Sequence, residues 1–139
     1  MKRLSEGFYP SLISAIFIMI LMGAPGNCFP TVVTFWDWLS PDKIIHILIF
    51  GLFSFITLWG YRKPMLLKDR KQVRRFFITT IIIIISYGGL TEVLQKYLFI
   101  GRYGCLYDFF ADIIGCSLGV LVFIFYLKKK LKKNKHYEE

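Results

Sequence analysis

Residues 76–100 read FFITTIIIIISYGGLTEVLQKYLFI, and this stretch decides the class of the protein. It is apolar for about the length that a membrane-crossing helix needs, roughly 20 residues with a range of about 17–25. The five consecutive isoleucines at 81–85 are poor helix formers in water because β-branched side chains lose rotamer freedom. In lipid, every backbone N–H and C=O must be satisfied within the segment, and this requirement overrides that preference. The rest of the chain agrees with a lipid solvent. It has 139 residues, 55% hydrophobic and only 19% charged, with a mean hydropathy of +0.53. A soluble domain of this size buries too small a fraction of its surface to hide that much apolar area.

Outward from 76–100, three more apolar stretches appear, at about 8–24, 41–61 and 107–127. The first is short and carries Pro10, so its core resembles the apolar region of a signal peptide. Met22-Gly23-Ala24 is a poor cleavage site, and the helix is expected to be retained. Ser40-Pro41-Asp42 reads as a helix start: a cap, a proline at the first helical position, and an acid in the first turn. The expectation is an all-α, four-helix transmembrane bundle. It forms a single membrane domain over 1–127, followed by a basic tail at 128–139.

The net charge is +9. In a soluble protein that would suggest nucleic acid, but here the basic residues are clustered between apolar runs. One cluster is Lys2 and Arg3, a second spans 62–75, and a third is the lysine-rich run from Lys128 to Lys135. With four spans all three fall on one side, which the positive-inside rule assigns to the cytoplasm. Both termini are then cytoplasmic, the basic segments touch anionic lipid, and no nucleic-acid partner is implied. Trp36, Trp38 and Tyr103 fall on the other side, at the level of an interfacial aromatic belt. Cys28 and Cys105 share that side, where a disulfide is an open option, and Cys116 reads as a small packing residue.

The remaining ionisable residues gather in the outer half. Asp42, Lys43 and His46 share one face of the second helix; Glu92, Gln95 and Lys96 lie within one turn on the third; Asp108 and Asp112 are four apart on the fourth. At about 1.5 Å of rise per residue, His46 and Asp112 sit about 6 Å in from Asp42 and Asp108. Charges within a bilayer are costly and face the bundle interior, where they mark functional sites by default. The spacing therefore predicts one polar pocket open to the outer leaflet, with Arg102 in the short loop above it. Ala111, Gly115 and Gly119 recur every four residues on the face of Asp108 and Asp112. Small residues in that pattern let membrane helices approach closely, and Gly88-Gly89 on the third helix are a candidate receiving surface.

Asp42-Lys43-x-x-His46, Glu92-x-x-Gln95, and Arg102-x5-Asp108-x3-Asp112-x2-Gly115, in that order, resemble the VanZ family of small bacterial membrane proteins. The resemblance covers about 8–127 in outline, with its motifs within 42–115. It departs at Asp112, where the family pattern commonly has Asn. It implies importance for Asp42, Lys43, His46, Glu92, Gln95, Arg102 and Asp108, without assigned roles. It also implies a multi-pass protein of the bacterial cytoplasmic membrane, with a role at the cell envelope related to resistance to glycopeptides such as teicoplanin.

Three functions stay open on these residues. The first is binding: Asp42, Lys43, Gln95, Arg102 and Asp112 hold an envelope lipid, a cell-wall precursor or a glycopeptide-type ligand. The second is a membrane-embedded hydrolase or transferase acting on a lipid-linked substrate through His46, Glu92 and Asp108, with activated water because no Ser, Thr or Cys nucleophile is well placed. The third is a purely structural polar network. No cofactor and no metal ligand set is assigned, since the three cysteines lack zinc spacing and His136, the second histidine, is in the tail. Carboxylates beside one imidazole nevertheless leave a divalent ion as an option.

Overall fold

The computed structural model describes residues 2–23, 41–66, 69–98 and 106–135. All elements among them are helical: α1 (Lys2–Met22), α2 (Pro41–Gly60), α3 (Arg62–Leu66), α4 (Arg70–Tyr97) and α5 (Leu106–Lys135). Three contain spans long and apolar enough to cross a membrane, at Asp42–Gly60, Lys71–Tyr97 and Leu106–Lys130, and Gly7–Met22 is a shorter apolar helix. The protein is thus an all-α membrane bundle of four long helices. Pro10 is tolerated inside α1. There the Ser11 and Ser14 hydroxyls donate to the carbonyls of Gly7 and Pro10, at 2.9 and 2.7 Å.

Three helices run longer than the apolar stretches predict: α1 already starts at Lys2, six residues ahead of residue 8. α4 starts at Arg70, six residues ahead of residue 76, and α5 continues to Lys135 through the lysine-rich segment. Basic residues are good helix formers, so a helix stabilised in lipid extends through them. The short α3 falls within the second basic cluster and contains Pro64.

Large apolar side chains point outward along the spans, among them Ile13, Leu48, Ile83 and Phe125. Lipid tails are as apolar as these side chains, so burial supplies little drive and the helices are held by close packing and interhelical polar contacts. The α2–α5 interface is the most extensive, with α1 packed on α2 and α4 on α5. Its cause is the small-residue ridge of α5. A Cβ at Gly115 would collide with the Ile47 carbonyl, and one at Gly119 with the Gly51 carbonyl and the Ser54 side chain. The ridge therefore packs on α2, not on Gly88-Gly89 of α4. A Cβ at Gly88 would meet Asp112 and Phe50, and one at Gly89 only Phe109 at 3.5 Å. Spacing reveals which residues share a face but not which helix that face meets.

Two apolar clusters lie along this axis. Ile18, Met22, Phe50, Phe53, Ile84 and Cys116 fill the middle. Leu58, Met65 and Phe123 close the end nearest the basic segments, with Tyr61, Phe76 and Phe77 around them. The polar residues occupy the opposite end.

Candidate functional site

α2, α4 and α5 each bring one face of their polar ends to a common point. His46 is the hub. It is 1% exposed, in the second turn of α2. Its Nδ1 lies 2.8 Å from Asp112 Oδ1 on α5 and 3.8 Å from Glu92 Oε1 on α4. With Asp112 ionised, Nδ1–H donates to the carboxylate, which fixes the ring and leaves Nε2 as the other nitrogen. This contact gives Asp112 an acceptor role that an amide oxygen could share, although an amide would carry no charge. His46 also sits with Asp42 and Asp108, one donor atom from each of the three lying within 4.8 Å of the others.

The rim of the cluster is an ion pair. Lys43 Nζ lies 3.5 Å from Asp108 Oδ1, close enough for charge attraction but longer than a made hydrogen bond. Glu92, Gln95, Asp108 and Asp112 are all buried. Thr91, also buried, turns its hydroxyl to the Gly88 carbonyl at 2.7 Å, which removes one polar atom from the site. Gly88 makes room for Asp112, whose Oδ2 lies 3.1 Å from where a Cβ would stand.

The structure therefore gathers Asp42, Lys43, His46, Glu92, Asp108 and Asp112. Gln95 reaches elsewhere. Its Nε2 donates to the Met22 carbonyl at 3.2 Å and contacts the Met22 sulfur at 3.5 Å, tying α4 to the end of α1. A backbone carbonyl has no sequence signature, so the part α1 plays at this end is invisible in the chain alone. Lys96 stands near the Tyr97 ring, 5.5 Å from its centroid. Arg102, Tyr103, Trp36, Trp38, Cys28 and Cys105 lie outside the described residues, as does any lid over the pocket.

A groove of about 310 Å³ opens beside the cluster between α4 and α5. It is lined by Gly89, Glu92, Val93, Lys96, Tyr97, Leu106 and Phe109. Val93, Tyr97 and Leu106 are exposed on the outside of the bundle, so the groove faces the surrounding lipid. Glu92 belongs to both the groove and the His46 cluster. The groove thus meets the polar site at Glu92.

No family model matches the chain, and no solved structure matches it. An uncharacterized protein of the fission yeast Schizosaccharomyces pombe is 32% identical over 93 residues, covering 66% of this chain and 52% of the yeast protein. The chain spans about half the length of that curated relative. This overturns the resemblance to the bacterial VanZ family: the relative is eukaryotic and no family model supports the assignment. With it go the bacterial inner membrane and the link to antibiotic resistance. The motifs misled for a physical reason. Acids, a histidine and an arginine near helix ends can gather in any bundle that buries a polar end, and three short motifs do not separate a family from that pattern. What stands is a multi-helix membrane protein with a buried polar end.

Proposed function

We propose that this chain binds a membrane lipid at its polar end, admitting the headgroup sideways between α4 and α5. The observation that carries the reading is the groove shared by Glu92 and the outward-facing residues Val93, Tyr97 and Leu106. Its lining sets the charged Glu92 and Lys96 beside the apolar Val93, Leu106 and Phe109, and an amphiphile has the matching combination. Lys96 at the rim suits a phosphate, and Glu92 suits an ammonium or hydroxyl donor beside it. The His46–Asp112 pair holds the floor of the site in place. The basic clusters stand at the opposite end of α2, α4 and α5, so the positive-inside rule assigns the site to the non-cytoplasmic leaflet.

The test is lipid capture. Purified protein is reconstituted with a photoactivatable phospholipid, and the crosslinked peptide is identified by mass spectrometry. Labelling is expected on α4 and α5 around Val93 and Leu106, and Val93→Trp, which fills the groove, should reduce it several-fold. Uniform labelling over all exposed faces, unchanged by Val93→Trp, would sink the reading.

One observation favours a second reading, proton-transfer catalysis on the same amphiphile. A buried imidazole oriented by a carboxylate is the arrangement that general bases use. Release of a headgroup or acyl product that stops in His46→Gln, while lipid capture persists, would decide for the enzyme.

A further inference from the structure

We infer that His46, Glu92 and Asp112 form a binding site for a divalent transition-metal cation within the membrane. This inference does not depend on lipid binding. The three residues come from three helices, and one donor atom from each lies within 4.8 Å of the others. The separations from His46 Nδ1, 2.8 Å to Asp112 and 3.8 Å to Glu92, suit ligands of one ion. Metal–ligand bonds here are about 2.0–2.2 Å, so neighbouring ligands stand about 3 Å apart at a right angle and farther apart at wider angles. An ion would take the place of the proton now shared by His46 and Asp112, with little movement of either side chain.

A second observation points the same way. Asp112 is 2% exposed, yet its Oδ2 is buried without a hydrogen-bond partner among the described residues. A carboxylate oxygen left so in a bilayer costs free energy unless something positive approaches it. Two carboxylates and a neutral imidazole carry two negative charges, which a divalent cation cancels in full. A neutral assembly is the arrangement least penalised by the low dielectric.

The donor set selects the metal class. One imidazole and two carboxylates suit zinc, manganese or ferrous iron better than magnesium or calcium, which take oxygen ligands. Asp108 and Asp42 also lie within 4.8 Å of a His46 nitrogen, near enough to serve as the outer carboxylates that orient a ligating imidazole in such sites. Three protein ligands leave further coordination positions open, and the open side is the groove at Glu92.

The experiment uses the full chain in detergent, with any polyhistidine tag removed and no lipid added. After chelator treatment, zinc or manganese chloride is titrated in, and bound metal is counted by mass spectrometry of the dialysed protein. One ion per chain is expected, with preference over magnesium of at least tenfold and a higher melting temperature in the presence of metal. His46→Gln, Glu92→Gln and Asp112→Asn should each weaken binding at least tenfold, whereas Lys128→Gln, at the opposite end of α5, should leave the stoichiometry unchanged. Manganese bound to the wild type should also show a nitrogen ligand by pulsed electron paramagnetic resonance, a readout that needs no variant to fold. Failure of the wild type to bind either metal overturns the inference, as does binding that survives all three substitutions. Lipid capture is measured separately in metal-free protein, so the two readings fail independently.

Discussion

The two ends of the α2–α5 pair make opposite use of the same closeness. At one end Leu58 and Phe123, both fully buried, pack with Met65 into a dry cluster. At the other, His46 and Asp112 face each other at 2.8 Å across the same interface. Between them Gly115 and Gly119 press on the backbone of α2 at Ile47 and Gly51. The glycines set one separation for both ends. In the dry end closeness becomes van der Waals contact, and in the polar end it becomes a hydrogen bond that a wider pair of helices could not make. The polar site is thus built on the packing seam.

The largest effect is expected from breaking the seam itself. Gly119→Leu forces a side chain into the Gly51 carbonyl and should cost about 3 kcal/mol or more, at the upper end for overpacking. Both ends should suffer together, read as a lower melting temperature in detergent and loss of a disulfide engineered across the α2–α5 interface. Removing only the dry end comes next. Phe123→Ala should cost about 2 kcal/mol, below the roughly 3–5 kcal/mol typical in water, because lipid withdraws the transfer contribution and leaves the cavity. It should leave the environment of the His46 ring unchanged by nuclear magnetic resonance.

The polar end is sharpened by a double-mutant cycle. His46→Leu and Asp112→Leu should each destabilise, and the double variant should be no worse than the poorer single. The coupling should be about 1 kcal/mol, within the range for polar pairs in membrane bundles. Additive effects would mean the 2.8 Å contact contributes nothing. Tyr87→Phe deletes a hydroxyl that donates to the Ala15 carbonyl at 2.5 Å and should cost about 0.6 kcal/mol. The smallest effect belongs to Gly89→Ala, where a Cβ meets only Phe109 at 3.5 Å. Its melting temperature should match the wild type, which would separate α4's glycines from those of α5.

Much of this architecture is legible in the chain. Residues 76–100, 41–61 and 107–127 announce spans because only lipid accommodates such runs, and the helices at Asp42–Gly60, Lys71–Tyr97 and Leu106–Lys130 match them. Depth and face place Asp42, His46, Glu92, Asp108 and Asp112 at one end. The pairing is not legible. Glu92, Gln95 and Lys96 share one turn in sequence, but spacing does not say that Glu92 stands 3.8 Å from His46 on another helix while Gln95 turns to α1. The Met22 carbonyl that receives Gln95 is backbone, and any residue type would supply it. Family membership was the least legible, since a few polar residues at helix ends carry more information about solvent than about ancestry.

The length of α2 has a mechanical consequence. Its 20 residues make a rod of about 30 Å, equal to the hydrocarbon thickness of a typical bilayer, while the 30 residues of α5 reach about 45 Å. α5 has turns to spare and α2 has none. At the basic end Arg62 stacks 3.5 Å from the centre of the Trp59 ring and donates to the Trp59 carbonyl at 2.7 Å, and Trp and Arg at a helix end are the residues that hold it at the membrane interface. A change in the acyl-chain length of the surrounding lipids is therefore taken up at the other end, in the turn that carries Lys43 and His46. Shorter chains lift that turn toward the headgroups and water, and longer chains submerge it. The membrane's own composition becomes a dial on how strongly the charges at this end feel one another.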